Sequence, residues 1–343
     1  MYYSIIHTTA YRYSEPIRES VMELRMRPRD EMSARGSIQG GQQCFSFNVR
    51  LDPKADLGSY KDYLGNTVHT FNIPGSHDRL TVIAESLVET HMPATVPLSL
   101  PESAWDELEA MTGSAELYDM LLPGHFTEMT PLLRAYMTTQ NLTRCADPLA
   151  TVWMINHFIH EHFEYTPKAT QVDSPIDHLL ETGKGVCQDY AHTMLAILRY
   201  LGIPARYVSG YLYHRRNDNV RISEQDATHA WVDVWMPSLG WVGFDPTNDT
   251  AATDRHIRVA LGRDYYDVPP TRGVYKGTAA TRLEYGVIAH QLDALPMNEP
   301  SFSPAQMELD LSDAPFIPPP APISAPGISI AQQIAQQQQQ QQQ

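Results

Sequence analysis

Apolar residues recur at two different periods along this chain, and the change of period marks its organisation. Over residues 1 to about 90 the alternation is strand-like. Tyr2 to Tyr13, Val21 to Arg27, Cys44 to Leu51 and Leu80 to Glu89 each alternate, and Tyr63 to Ile73 holds two short strands around a Gly65-Asn66 turn. Short strands at regular spacing predict a β-sandwich-like N-terminal domain over residues 1–90.

Beyond residue 90 the period lengthens. Pro93, Pro97 and Pro101 make His91 to Glu102 a linker, Ser103 caps a helix through Met111, and another helix runs from Pro131 to Thr139. Residues 91–146 are thus read as a linker and helical lead-in. Asp147-Pro148 then pairs an N-cap with proline at the first helical position. Val152, Ile155, Ile159 and Phe163 follow at steps of three and four, the buried face of that helix. A short helix covers Pro175 to Glu181. After Gly183 and Gly185, the residues Cys187, Ala191, Met194, Leu195 and Leu198 keep helical spacing until Gly202-Ile203-Pro204 ends the run. Two strands come next, Ala227 to Trp235 and Trp241 to Thr247, joined by the turn residues Pro237 to Gly240 as a hairpin. Leu283 to Ala289 adds a strand. A domain over 147–295 with a helix beside a hairpin makes the chain α+β. From Pro296 the composition changes, and Phe316 to Pro322 with the glutamine run Gln336 to Gln343 predict a disordered tail over 296–343.

The chain's 343 residues are long enough for two domains, and its formal charge of −15 argues against nucleic acid or anionic membrane as a partner, since both select basic patches. No run approaches the roughly 18 to 20 apolar residues of a membrane span, and the first residues lack the pattern of a signal peptide. A cytoplasmic location is expected. Cys44, Cys145 and Cys187 are too few and scattered for a disulfide framework or a CxxC metal site, and read as free thiols.

Of the three, Cys187 alone has a chemical setting. It falls in the first turn of a helix, where the dipole and unpaired backbone N–H groups favour thiolate and can bind an oxyanion. His229 opens the first strand of the hairpin and Asp245 closes the second, so both come to one end of it. The order is a nucleophile, a base and a group that fixes the base's tautomer. Cys44 and Cys145 have no such partners and read as structural. His157, His160 and His162 do not form HExxH or share one helix face, so they read as a packed or solvated histidine patch rather than a metal site. Ser209 is outside any GxSxG elbow, and no phosphate-binding glycine loop is present. Trp231, Trp235 and Trp241 read as core and groove wall.

Four stretches carry a resemblance: Gly185 to Ala191, Gly202 to Tyr211, His229-Ala230-Trp231, and Gly240 to Thr247. In this order they resemble the transglutaminase-like cysteine peptidase superfamily, and its bacterial branch in particular. Leu24 to Arg29 and Gly65-Asn66 are similar to the N-terminal region of that branch, and Gly262 to Tyr275 to its closing segment. The resemblance implies a papain-like core with the cysteine on a helix against an antiparallel sheet. It implies a thiol-dependent amide hydrolase or acyl transferase with Cys187, His229 and Asp245 as the triad. The Cys187 backbone N–H, with Gln188, is the expected oxyanion donor, and Trp231 a supporting residue. The substrate would be a peptide or protein, with water or a small amine as acceptor. No calcium loop of the animal transglutaminase kind is identifiable, so no metal or cofactor is expected. The competing reading is a non-enzymatic peptide-binding scaffold on the same fold.

Overall fold

The computed structural model describes residues 1–31, 38–171, 173–214 and 228–295; the tail expected over 296–343 lies outside the described residues. The N-terminal part holds β1 (Tyr2–Leu24), β2 (Gln42–Asp52), β3 (Gly58–Lys61), β4 (Thr67–Ile73) and β5 (His77–Thr90). Helices follow: α1 (Ala104–Met111), α2 (Ala115–Asp119), α3 (Pro131–Thr139) and α4 (Pro148–His162). Next come β6 (Glu164–Tyr165), α5 (Ile176–Thr182), β7 (Lys184–Gly185) and α6 (Cys187–Tyr200). The chain then forms β8 (Ala205–Leu212), β9 (His229–Met236), β10 (Gly240–Asp245), β11 (Thr250–Ala251), β12 (His256–Gly262), β13 (Thr271–Lys276) and β14 (Thr281–Leu292).

The expected sandwich is instead one seven-stranded antiparallel sheet, curled as a half-barrel. Its path runs β2-β5-β1-β4-β3, with β13 and β14 also on β1. The reason is the length of β1. Its first half pairs with β5 and β14, its second half with β4 and β13, and the register shifts between Arg12 and Ile17 where the strand bends. A strand shared by both halves makes them one coiled sheet, whereas a sandwich needs two sheets facing each other. Tyr11, Ile17, Met22, Leu24, Phe71, Leu80 and Val82 fill the curl. The last two strands, β13 and β14, are thus hydrogen-bonded to the first, although nearly the whole chain separates them.

The second sheet, β11-β10-β9-β8-β12, carries α6 on one face. Ala230, Val232, Val234 and Met236 of β9 share a core with Tyr190, Ala191, Met194, Leu195 and Leu198 of α6. Val152, Ile155 and Ile159 of α4, and Phe163 just after it, join the core, as their spacing predicts. Every second side chain of β9 lies on the opposite face, where Trp231 packs with Val208, Ala252 and Leu261. Among the described residues no helix is long and apolar enough to cross a membrane.

The half-barrel is fastened to the edge of this sheet, along β12. Asn66 Nδ2 donates to Leu261 O at 2.7 Å, and Leu261 N donates back to Asn66 Oδ1 at 2.8 Å. Gln42 does the same with Arg258, Nε2 to its O and Oε1 from its N, both at 2.8 Å. Arg29 reaches Asn66 Oδ1 at 2.6 Å and Glu31 at 2.9 Å. The Arg29 and Gly65-Asn66 segments thus join the two sheets: a buried side-chain amide that pairs with both backbone groups of one residue satisfies its own oxygen and one N–H together with theirs.

Candidate active site

Cys187 is the first residue of α6, after Val186 as N-cap. Val186 has no side-chain acceptor, so capping falls to Asp189, whose Oδ2 accepts from Val186 N at 2.8 Å and from Thr170 Oγ1 at 2.6 Å. Burial dominates over these bonds and raises the Asp189 pKa to about 6. Gly185 is closely packed: a Cβ there would stand 2.7 Å from Leu179 Cδ1 and 3.0 Å from Asp189 Oδ2, and the Leu179 side chain would have to shift. The helix start is therefore held in place from both sides of Cys187, which is half-buried.

The hairpin forms as its turn residues predict, with Phe244 opposite Val232, so Asp245 lies at the His229 end. His229 is 2 % exposed and Asp245 is fully buried. His229 Nε2–H donates to Asp245 Oδ2 at 2.8 Å. The other ring nitrogen, Nδ1, is buried without a hydrogen-bond partner. With Nε2 taken, Nδ1 is the atom left to engage Cys187. Burial alone would lower the His229 pKa, but Asp245 and then the Cys187 thiol outweigh it and raise the value to about 10. Asp245 itself is held well below the ordinary carboxylate range: burial acts upward, and the His229 charge and its hydrogen bond act downward more strongly.

Asp245 has more partners than the sequence reading supplies. Oδ2 also accepts from Asn248 Nδ2 at 2.6 Å and His256 Nε2 at 3.1 Å, and Oδ1 from Thr247 N at 2.9 Å. Asp245-Pro246-Thr247-Asn248 is a turn in which the aspartate caps its own following backbone, a signal the sequence does contain. His256 had no such signal, because it arrives from β12 across the sheet.

Trp231 does not point into solvent. Its ring lies against His229 at 6.1 Å between centroids and meets His256 edge-on at 5.1 Å, fully buried. It walls the two imidazoles. Gln188 is likewise buried in the first turn of α6. Cys44 is buried, and burial pushes its thiol up to about 11; Cys145 donates its N–H to Thr151 Oγ1 and accepts from Trp105 Nε1.

The histidines of α4 hold the loop that follows Asp245. His160 Nδ1–H donates to Thr247 O at 2.9 Å, His157 Nδ1–H to Asp249 Oδ2 at 2.7 Å, and Asn156 Nδ2 to Asp249 Oδ1 at 3.0 Å. His162 bonds back to Phe158 O of its own helix. The three do not converge on a point.

Among the described residues, His229, Asp245 and His256 place ligand-type atoms within 4.8 Å of one another. Their hydrogen atoms argue against a cation there. Thr253 N–H donates to His256 Nδ1 at 3.0 Å, so Nδ1 is bare and Nε2 carries the hydrogen of the neutral ring. A metal at Nε2 would displace that hydrogen to Nδ1, against another donor. The cluster is built for hydrogen bonds to a carboxylate.

Comparison with known proteins finds similar sequences and a similar fold. The sequence model of the transglutaminase-like superfamily matches residues 136–246, which contain Cys187, His229 and Asp245. That of the bacterial transglutaminase-like N-terminal region matches residues 3–89. An uncharacterised protein of Mycobacterium leprae is 33% identical over 280 residues, 82% of this chain and 95% of its own. A protein-glutamine gamma-glutamyltransferase of Pseudomonas aeruginosa is 42% identical over 111 residues, 31% of this chain and 17% of its own. In structure, a proposed cysteine protease from Cytophaga hutchinsonii superposes with a TM-score of 0.64 over 86% of this chain and 93% of its own, at 18% identity. At that identity the likeness concerns the fold.

Proposed function

The chain belongs to the transglutaminase-like superfamily, with its bacterial N-terminal region, and we propose that it is a thiol enzyme which cleaves or transfers acyl groups held in amide bonds. One observation carries the reading. His229 gives its Nε2–H to Asp245 and keeps Nδ1 buried and unpartnered, while Cys187 opens the helix packed against the same sheet. A histidine satisfied at both nitrogens would be a structural one; this one has Nδ1 left to exchange a proton with the Cys187 sulfur.

The steps follow from those positions. His229, whose raised pKa makes it an imidazolium at neutral pH, holds at Nδ1 the proton given up by the Cys187 thiol, and the sulfur attacks the amide carbonyl carbon. The oxyanion of the tetrahedral intermediate meets backbone N–H groups at the start of α6, those of Cys187 and Gln188, at the positive end of the helix dipole. His229 returns its proton to the leaving amine, and Asp245 keeps the imidazolium oriented and charged meanwhile. A thioester on Cys187 remains. Water resolves it to a carboxylate, or a primary amine resolves it to a new amide. Trp231 supports the His229 ring throughout. A peptide or protein is the substrate class, since the amide of a glutamine side chain or of the backbone is the bond such a site addresses. The name of the Pseudomonas relative supports glutamine as donor.

The test is to offer a glutamine-bearing protein with a labelled primary amine, and to follow label incorporation and carboxylate release together. Either product, lost in Cys187→Ala and in His229→Ala, supports the reading. Neither product, with peptide binding intact in both variants, replaces it with a binding scaffold.

A further inference from the structure

Asp245 is shared between two histidines, and only one of them has a part in the chemistry above. His256 is 4 % exposed, lies ten residues beyond the segment matched to the superfamily (256 − 246), and meets the same carboxylate oxygen as His229. Its orientation is fixed from behind. Thr253 N–H points at Nδ1, so the ring presents a hydrogen at Nε2 and nowhere else. The groups that act on it are Asp245, His229 and Arg258, and burial outweighs the carboxylate, so the ring is held neutral.

We infer that His256 is a positioning residue of the active site: a neutral donor, locked in one tautomer by the Thr253 backbone, that holds the Asp245 carboxylate so that His229 keeps Nε2–H on Asp245 and leaves Nδ1 to Cys187. Asp245 Oδ2 has three side-chain donors, and each removes one way for the carboxylate to turn or to take a proton. A carboxylate that rotated away would release His229 to flip, and the base would face Cys187 with the wrong nitrogen. His256 acts through Asp245 and His229 without touching the substrate. This role rests on the reading of Cys187 and His229 as a nucleophile–base pair.

Two polar replacements separate the role from packing. A glutamine places its amide N–H near the position of His256 Nε2, while an asparagine retains an acceptor for Thr253 N–H but falls short of Asp245. The measurement is the rate of iodoacetamide alkylation of each cysteine across pH 5 to 9, read by peptide mass spectrometry, in the parent, His229→Ala, His256→Asn and His256→Gln. The parent is expected to alkylate fastest at Cys187 at pH 6. His256→Asn should slow that rate about tenfold at pH 6 and little at pH 9, the scale of losing one hydrogen bond to a charged group, and His256→Gln should recover most of it. If the parent shows no fast Cys187, or His229→Ala leaves it unchanged, the thiol-enzyme reading fails and the role of His256 with it. If the parent is fast and His256→Asn keeps its pH profile, or both replacements slow it equally at every pH, His256 is packing only. Long-range proton–nitrogen NMR of the parent gives a check without any replacement. It should show His256 protonated at Nε2 and bare at Nδ1, and a proton at Nδ1 would overturn the inference.

Discussion

Asp233 and Arg258 are ion-paired in the interior, Asp233 Oδ1 to Arg258 Nη2 at 3.4 Å, joining the strand that begins with His229 to the strand that begins with His256. Asp233 is fully buried and holds a second guanidinium, Arg206, at 3.1 Å, while Arg258 also lies 3.7 Å from Glu31 of the N-terminal region. The charge network spans the boundary between the two sheets, just behind the candidate site.

Removing its centre should be costly. Asp233→Ala leaves Arg206 buried without its paired carboxylate and Arg258 with Glu31 alone, and a loss of about 3–5 kcal/mol is expected. Urea unfolding followed by tryptophan fluorescence measures it. A change under about 1 kcal/mol would mean that the guanidinium groups find water, and that the network is weaker than its burial suggests.

Asp189 should make stability fall as pH rises through mildly acid values. Its folded pKa of about 6 stands above the ordinary 3.8 because burial disfavours the charge. The native state therefore binds this proton more tightly than the unfolded chain. The benefit is complete below about pH 4 and is lost as pH rises through about 6, on the order of 3 kcal/mol in all. Asp189→Asn keeps acceptors for Val186 N and Thr170 and has no charge to bury. The difference in Tm between this variant and the parent should move in favour of the variant from pH 4 to pH 7. An offset constant with pH would sink the assignment.

His229 works in the other half of the scale. Its folded pKa is raised to about 10, so the stability it gives is full below the unfolded value of 6.5 and declines as pH rises towards 10. Parent protein should lose unfolding free energy between pH 7 and 10, and His229→Gln should flatten that slope. Parallel curves for the two proteins over this interval would show that the imidazolium is not held by Asp245.

Gly210 of β8 has no room for a side chain. A Cβ would run into the Ile257 carbonyl oxygen and stand 2.6 Å from Trp231 Cη2. Backbone on one side and a fully buried indole on the other leave nothing cheap to move, so Gly210→Ala should cost about 3 kcal/mol or more. Because Trp231 backs His229, the same change should slow Cys187 alkylation at pH 6. Near-parental Tm together with near-parental alkylation would contradict this.

Much of the local structure was legible in the sequence. The start of α6 at Cys187, the capping of α4 by Asp147, whose Oδ1 accepts from Ala150 N at 2.9 Å, and the hairpin of β9 and β10 all follow from residues near one another. Caps, turns and periodicity are short-range effects, and short-range effects survive without knowledge of the fold. Architecture over longer distances was not legible in the same way. The alternation from Tyr2 to Arg27 shows strands but not that β1 continues through its bend, and so it suggests a sandwich where one sheet curls.

The sequence by itself determined that a cysteine opens a helix and that a histidine and an aspartate share the end of a hairpin, because spacing along the chain is enough to place them. Only the tertiary structure decided that His256 completes the ring of donors on Asp245, that Arg29 and Asn66 join the two sheets, and that β13 and β14 close on β1. Those pairings depend on strand order and on which face each strand buries. Both are fixed by the packing of distant segments against one another, and that leaves no periodic trace in the residues concerned.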